Sequence, residues 1–248
     1  MKIKGINILT IAGFDPTGGA GILADIQTFK AFNCVGMAVQ TANTIQTEDE
    51  FIAVNWIDDE VIGRQLQSLL DRYAFTIVKI GLVPSLSLLN VLIDKIIAKQ
   101  PNIKIVWDPV LSASAGVDFG QDLSELSVVL EKVFLITPNW SEAIKLSGND
   151  DAIVGAKELS NITKILLKGG HNPENLGRDI LFDDEGELFF KPKPGNYSPK
   201  HGSGCVYASA LAATIAKGYP QQKAILKAKR YIEYFLASSN TLIGRHKG

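Results

Sequence analysis

The chain reads as an α/β protein with a central, mostly parallel sheet, helices on both faces and a short antiparallel extension near the end. Three observations predict this. Strand-like apolar runs alternate with helix-period segments almost from end to end. Runs such as Ile103-Lys104-Ile105-Val106-Trp107 lack the in–out alternation of a sheet with one wet face, as expected where helices cover both. After Gly170 the pattern changes to two short runs around a turn, the mark of a hairpin. No low-complexity linker or internal repeat interrupts the series, so a single domain over 1–248 is expected.

The elements follow in order. Residues 6–11 form a buried strand, and 18–31 a helix with Ile22, Leu23, Ile26 and Phe29 on one stripe. A strand at 35–41 precedes a helix at 58–73, whose stripe is Val61, Ile62, Leu66, Leu69 and Leu70. Next come strand 76–80, helix 85–99, strand 103–107 and helix 124–132. Strands 134–136 and 165–167 enclose helices at 141–146 and 152–159. Residues 179–182 and 187–190 flank Asp183-Asp184-Glu185-Gly186 as a hairpin. A Pro/Lys/Gly stretch then leads into His201-Gly202-Ser203-Gly204-Cys205 and two closing helices, the first at 206–217.

Composition narrows the function classes. Hydrophobic residues make up 46% of the 248 and charged ones 21%, which excludes an intrinsically disordered chain. The formal net charge of −1 removes the basic footprint of a nucleic-acid binder. Cys34 and Cys205 allow at most one disulfide, so reduced thiols are the expectation. The apolar stretch near the N-terminus is cut by Asp15 and its glycines before it reaches the form of a secretory leader. No run approaches the 18 or so apolar residues of a membrane span. A soluble cytoplasmic protein with no membrane partner is expected.

Two glycine-rich segments open helices. In Gly13-Phe14-Asp15-Pro16-Thr17-Gly18-Gly19-Ala20-Gly21, Gly19 stands where a P-loop needs its lysine, so that reading fails. Gly19, Gly21 and Ala24 satisfy a dinucleotide fingerprint formally, but 31–47 contains no charged residue to hold a ribose. A tight turn is the plain alternative. In the second segment, successive N–H groups of Gly202, Ser203 and Gly204 at a helix start form an anion nest suited to phosphoryl transfer. Cys205 sits in the first turn, where a thiolate is favoured; small apolar packing is its plain alternative. Asn139 and Glu142 read either as a capping box or as an oxygen-rich edge for Mg²⁺. Asp108 and Lys168 end strands, where α/β proteins bind ligands, and Lys168 is either a solvated strand end or a phosphate partner.

The blocks LTIAGFDPTGGAGILADIQTFKAF (9–32), VKIGLV (78–83), VWDPVL (106–111), LITPNWSEAIKLSG (135–148), LLKGGH (166–171) and HGSGCVYASALAATIAKG (201–218) together resemble the ribokinase superfamily. More narrowly, they resemble the hydroxymethylpyrimidine/phosphomethylpyrimidine kinases of thiamine biosynthesis. The resemblance implies a ribokinase-like fold and transfer of the ATP γ-phosphate to 4-amino-5-hydroxymethyl-2-methylpyrimidine, then to its monophosphate. It implies that Gly202, Ser203 and Gly204 form an anion hole and that Cys205 occupies the catalytic-base position. Lys168, Asn139 and Asp108 would serve the nucleotide and Glu142 the Mg²⁺. Gln46 would recognise the pyrimidine ring, with Gly13, Ala20, Leu82 and Val110 around it. A homodimer is implied as well.

Some positions depart from that pattern. Phe14 replaces a small hydroxyl residue, the loop after Asp108 lacks a lysine, and Lys200 replaces a threonine. The acidic run Thr47-Glu48-Asp49-Glu50 after Gln46, read as a solvated turn, disfavours an anionic second substrate and weakens the expectation of a second phosphorylation. Pyridoxal kinase is the nearest rival reading; a nucleotide-dependent oxidoreductase and a non-catalytic pyrimidine sensor are the others. Loops at 109–121 and 171–178 are candidate lids.

Overall fold

The computed structural model describes residues 5–112 and 119–247. Strand β1 (Asn7–Phe14) leads into helix α1 (Gly21–Ala31), and β2 (Val35–Gln46) turns back antiparallel into β3 (Phe51–Trp56). Then follow α2 (Asp59–Arg72), β4 (Ile77–Ile80), α3 (Leu86–Lys99), β5 (Lys104–Trp107), α4 (Leu126–Leu130) and β6 (Leu135–Ile136). Helices α5 (Trp140–Ser147) and α6 (Ala152–Leu159) precede β7 (Lys164–Leu167), and the hairpin is β8 (Asp179–Asp183) with β9 (Gly186–Phe190). Helices α7 (Ser203–Ala216) and α8 (Gln221–Leu236) close the order.

Among the described residues the strands form one sheet in the order β3-β2-β1-β4-β5-β6-β7-β8-β9. The six strands from β2 to β7 are parallel, with antiparallel strands at both edges. Alternation along each central strand divides the core. Leu9, Ile11, Val78, Ile80, Ile105 and Trp107 face one layer, which α2, α3 and α4 cover. Ile8, Ile77, Val106, Leu135 and Leu166 face the layer of α1, α7 and α8. Ten consecutive residues of α7, Val206 to Ile215, are buried, and its alanines let it lie close between the sheet and α8. No helix among the described residues is long and apolar enough to cross a membrane.

The expected fold class stands, with four differences in detail. The antiparallel character is not confined to the end, because β3 adds an edge strand that periodicity did not reveal. β2 runs five residues past the expected end at Thr41, carrying the chain beyond the sheet as an arm. Helix α1 starts at Gly21 rather than Gly18, because a turn built by Asp15 uses the intervening residues. The expected helix at 124–132 contracts to Leu126–Leu130. The acidic run is the solvated turn of the β2–β3 hairpin, closed by the Thr47 N–H on the Glu50 carbonyl at 2.8 Å.

Candidate active site

The glycine-rich segments meet above the C-terminal ends of the parallel strands, where open α/β sheets bind ligands. Asp15 organises the first. Its buried carboxylate accepts from the Thr17 N–H at 2.9 Å, the Thr17 hydroxyl at 2.8 Å and the Ala20 N–H at 2.8 Å. His201 Nε2 reaches the same carboxylate at 2.9 Å, across 186 positions of sequence. Burial works against the charge of Asp15, yet these partners hold its carboxyl below the usual carboxylate range. The first glycine loop is therefore locked to the residue that precedes the second.

Glycine is required where these loops touch. Gly21 has φ +59°, and a Cβ there would stand 2.2 Å from the Gly13 carbonyl oxygen. Gly202 has φ +68°, and its Cβ would stand 2.0 Å from the Gly19 oxygen and 2.7 Å from the Ala20 Cα. The glycines of the formal dinucleotide fingerprint thus pack loop on loop. Gly202 caps α7, whose first internal bond runs from the Val206 N–H to the Gly202 carbonyl. The Ser203 N–H donates to the Lys200 carbonyl at 3.3 Å, and the N–H groups of Gly204 and Cys205 follow in the first turn, at the positive end of a 14-residue helix.

Charged side chains from two strand ends and the first turn of α5 converge beside this helix start. Lys168 Nζ lies 2.6 Å from Asp108 Oδ1 and 3.8 Å from Glu142 Oε2. A Cβ on Gly204 would be 3.3 Å from that ammonium and 3.9 Å from Asp108 Oδ2, so the nest and the pair are neighbours. Thr137 donates to Asp108 at 3.1 Å. Burial opposes the charge on both partners, but their attraction holds Lys168 above and Asp108 below their ordinary ranges. Lys168 is thus a buried ammonium, not the solvated strand end weighed above.

Asn139 and Glu142 form the capping box of α5. The Asn139 Oδ1 accepts the Glu142 N–H at 2.9 Å, and Glu142 Oε2 accepts the Asn139 N–H at 2.6 Å. The cap orients Glu142 toward Lys168 as well as holding the helix. Burial pushes the Glu142 carboxyl up to about 7, against the pull of Lys168 and with Asp108 adding to the rise.

The expectation of a favoured thiolate at Cys205 is overturned. The residue is half-buried and in no disulfide, and desolvation pushes its thiol up to about 11 despite the nearby charge of Lys79 and a hydrogen bond from the Gly21 backbone. The helix N-terminus acts on the thiol, but removal from water outweighs it. Cys205 is therefore a protonated thiol, a group that can orient a neighbouring hydroxyl but is not poised as a base.

The apolar side of the site gathers Gly13, Ala20 and Leu82. A Cβ on Gly13 would meet Leu82 Cδ2 at 3.1 Å, while Ala20 lies against Gly202. Val110, half-buried, lies two residues after Asp108 and donates its N–H to the Asp108 carbonyl at 2.8 Å. Gln46 stands apart from this group as the last residue of β2, paired with Phe51 across the hairpin. Alternation nevertheless places Gln46 on the same strand face as buried Ala42 and Thr44, and the Thr44 hydroxyl donates to the Phe14 carbonyl at 2.9 Å. That is the face turned toward the first loop. Of the candidate lids, 113–118 lie outside the described residues. The other, 171–178, is tied by the Gly177 N–H to the Gly169 carbonyl at 2.7 Å.

Asp15 and His201 went unassigned at the level of sequence. Only the position of His201 at the head of the second glycine segment hinted at its role. Lys200, the unusual residue before it, is buried and donates to the Ser239 carbonyl at 2.8 Å and the Ser198 hydroxyl at 2.5 Å. With the His201 N–H on the Leu242 carbonyl at 2.9 Å, it fastens the C-terminal segment behind the anion nest.

Comparison with known proteins identifies the family of the chain. The sequence profile of the phosphomethylpyrimidine kinase family matches residues 15–248. A hydroxymethylpyrimidine/phosphomethylpyrimidine kinase of Aquifex aeolicus is 36% identical over 94% of this chain and 95% of its own length. One of Saccharomyces cerevisiae is 35% identical over 93% of this chain, which spans 45% of the yeast protein. Among solved structures, a pyridoxal kinase of Bacillus subtilis in complex with ADP superposes with a TM-score of 0.84, at 29% identity, over 96% of this chain and 94% of that one.

Proposed function

The chain belongs to the phosphomethylpyrimidine kinase family, and from that footing we propose that it phosphorylates 4-amino-5-hydroxymethyl-2-methylpyrimidine with ATP, and then the resulting monophosphate, in thiamine biosynthesis. The observation that carries the reading is the Gly202–Cys205 nest at the start of α7, set beside the buried Lys168–Asp108 pair. Together they supply fixed N–H donors and a fixed cation where a phosphoryl group in transfer carries its charge.

In the reaction the substrate hydroxyl oxygen bonds to the γ-phosphorus as the bond to the β-phosphate oxygen breaks, and ADP leaves. The transition state is loose, so positioning and charge stabilisation matter more than a strong base. Lys168 holds nucleotide phosphates, Cys205 as a neutral thiol orients the substrate hydroxyl, and the hydroxyl proton passes late to an oxygen of the transferred phosphoryl group. Substitution Cys205→Ala is therefore expected to leave both KM values within about twofold while kcat falls about 10²-fold, the cost of letting the reacting hydroxyl stray by about an ångström. Equal turnover in the variant would return Cys205 to a packing role.

Mg²⁺ fits the donor chemistry. Among the described residues no three metal-ligating side chains converge into a protein cage. Glu142, buried beside Asp108, offers instead the single carboxylate with which magnesium bound mainly by waters and phosphates is usually content. Arriving with the nucleotide, the ion would supply neutralising charge to its phosphates. We also expect a homodimer working in the cytoplasm, without nucleic-acid or membrane partners. Light scattering at micromolar concentration tests the first point.

Gln46, on the face turned toward Phe14, offers an amide that satisfies adjacent donor and acceptor groups of an aminopyrimidine. Gln46→Ala is expected to raise the KM for the pyrimidine about tenfold, with a smaller effect on kcat, as loss of hydrogen bonds made equally in ground and transition states does. The acids after Gln46 sit on an exposed turn where water and salt weaken their repulsion of a monophosphate, which supports the second step.

The deciding assay measures ADP formation with the hydroxymethylpyrimidine, its monophosphate and pyridoxal side by side. Turnover of both pyrimidines bears the proposal out. Turnover of pyridoxal alone, toward which the structural likeness to a pyridoxal kinase points, would keep the phosphoryl site and overturn the reading of Gln46. No turnover of any of the three would favour a sensor.

A further inference from the structure

A lysine lies where a parallel strand should be wholly apolar. Every residue of β4 is buried, and Lys79, in its centre, has no measurable exposure. By register it sits between Thr10 of β1 and Val106 of β5, on the sheet face that α1 and α7 cover. The next row on that face, two residues on, is Ala12, Gly81 and Asp108. The Lys79 backbone therefore lies one row, about 7 Å of strand, below the level of the phosphoryl site. The side chain points upward, since a Cβ on Gly81 would stand 2.8 Å from Nζ.

Its partner is Asp25 of α1, 3.0 Å away and equally buried. Asp25 is saturated by three donors from three elements. Lys79 and the Thr10 hydroxyl, at 2.6 Å, reach one oxygen, and the Ser209 hydroxyl reaches the other at 2.6 Å. Ser209 is four residues after Cys205 on α7, so the two share one face of that helix, one turn apart. A continuous polar chain thus runs from β1 and β4 through α1 to the helix turn directly beneath Cys205.

From this geometry we infer that the Lys79–Asp25 pair is a positioning device for the phosphoryl site, an inference that rests on the proposed kinase reaction. It fixes the register of α7 over the strand ends, and it sets a permanent cation beneath Cys205 and the nest. A buried ion pair adds little to stability compared with apolar residues of the same volume. A role in packing alone would leave the pair replaceable by such residues; a role in the site would not. Lys79 touches none of the reacting atoms and acts through Asp25, Ser209 and the field under the helix start.

The test uses the full chain with Cys34→Ala as background, so that iodoacetamide reports Cys205 alone. In Lys79→Met, kcat is expected to fall at least tenfold with the KM for ATP changed less than threefold. Alkylation of Cys205 at a fixed mildly alkaline pH should slow by about tenfold, because loss of the cation disfavours the thiolate by about one pH unit. Lys79→Arg should recover part of the alkylation rate. Alkylation needs no substrate, so it reads the device even if the substrate proves to be another. Should Lys79→Met not fold, Ser209→Ala keeps both charges and removes only the tie to α7; a fall in kcat of about fivefold with KM unchanged is then expected. The inference is overturned if a folded Lys79→Met, or the apolar pair Lys79→Met with Asp25→Leu, keeps kcat and alkylation within twofold of the background. It is equally overturned if Ser209→Ala is kinetically silent.

Discussion

Gly202→Ala is expected to reduce kcat by about 10²–10³-fold, the range seen when a preorganised anion donor is lost. Two costs combine at this position. The backbone is left-handed, which an L side chain adopts at about 1–2 kcal/mol. The larger cost is steric, because the new methyl would stand 2.0 Å from the Gly19 carbonyl oxygen and 2.7 Å from the Ala20 Cα. Both are backbone atoms, so no side chain can swing aside. The two glycine segments must separate, carrying the nest away from the loop that Asp15 holds on His201. Much of α7 beyond its first turn is anchored independently by burial from Val206 to Ile215, so the variant is expected to fold with a modest loss of thermal stability. The kinetic loss should fall mainly on kcat, since the displaced donors act on charge that develops in transfer. A variant with wild-type kcat would show that the nest does not touch the phosphoryl group.

Periodicity marked the parallel strands and most of the helices because a sheet covered on both faces demands apolar residues at nearly every position of its central strands. It did not mark β3. Of Phe51–Trp56, Ile52, Asn55 and Trp56 are exposed, and the aromatic ends are steadied by Phe119. That contact spans more than sixty positions, and no local pattern carries it. The site shows the same division. Glycine runs and strand-end charges announce themselves locally, which is why Lys168, Asp108 and the nest were visible. The Asp15–His201 lock and the Lys79–Asp25–Ser209 chain join residues 186, 54 and 184 positions apart, so only the folded structure brings them together. Lys79 was further concealed by its context, since a lone lysine in a short apolar run reads as a strand with a wet edge. The mistaken thiolate at Cys205 has a similar root. A helix start is visible in sequence, whereas the depth at which it is buried is not.

The Lys168→Met substitution should produce the largest combined effect on stability and activity. Removing one partner of a buried ion pair strands the other, at about 3–5 kcal/mol. Here the stranded group is Asp108, 2% exposed and held ionised by Lys168 first among its neighbours. Glu142 adds less to the loss, because its carboxyl is already pushed up to about 7 and can take a proton instead. The nucleotide then meets an uncompensated carboxylate where an ammonium had been, so the KM for ATP should rise by about a hundredfold or more, consistent with truncating a buried charge partner. Adding Asp108→Asn separates the two consequences. The double variant should regain most of the lost stability, since an uncharged pair of similar volume leaves no buried charge without a partner. It should not regain affinity for ATP, because the cation is still missing. Thermal melts with and without ATP, set beside steady-state kinetics for the two single variants and the double, give the cycle. If the double variant recovered the wild-type KM, Lys168 would be a structural counter-ion for Asp108, and the nucleotide would take its charge compensation from the nest alone.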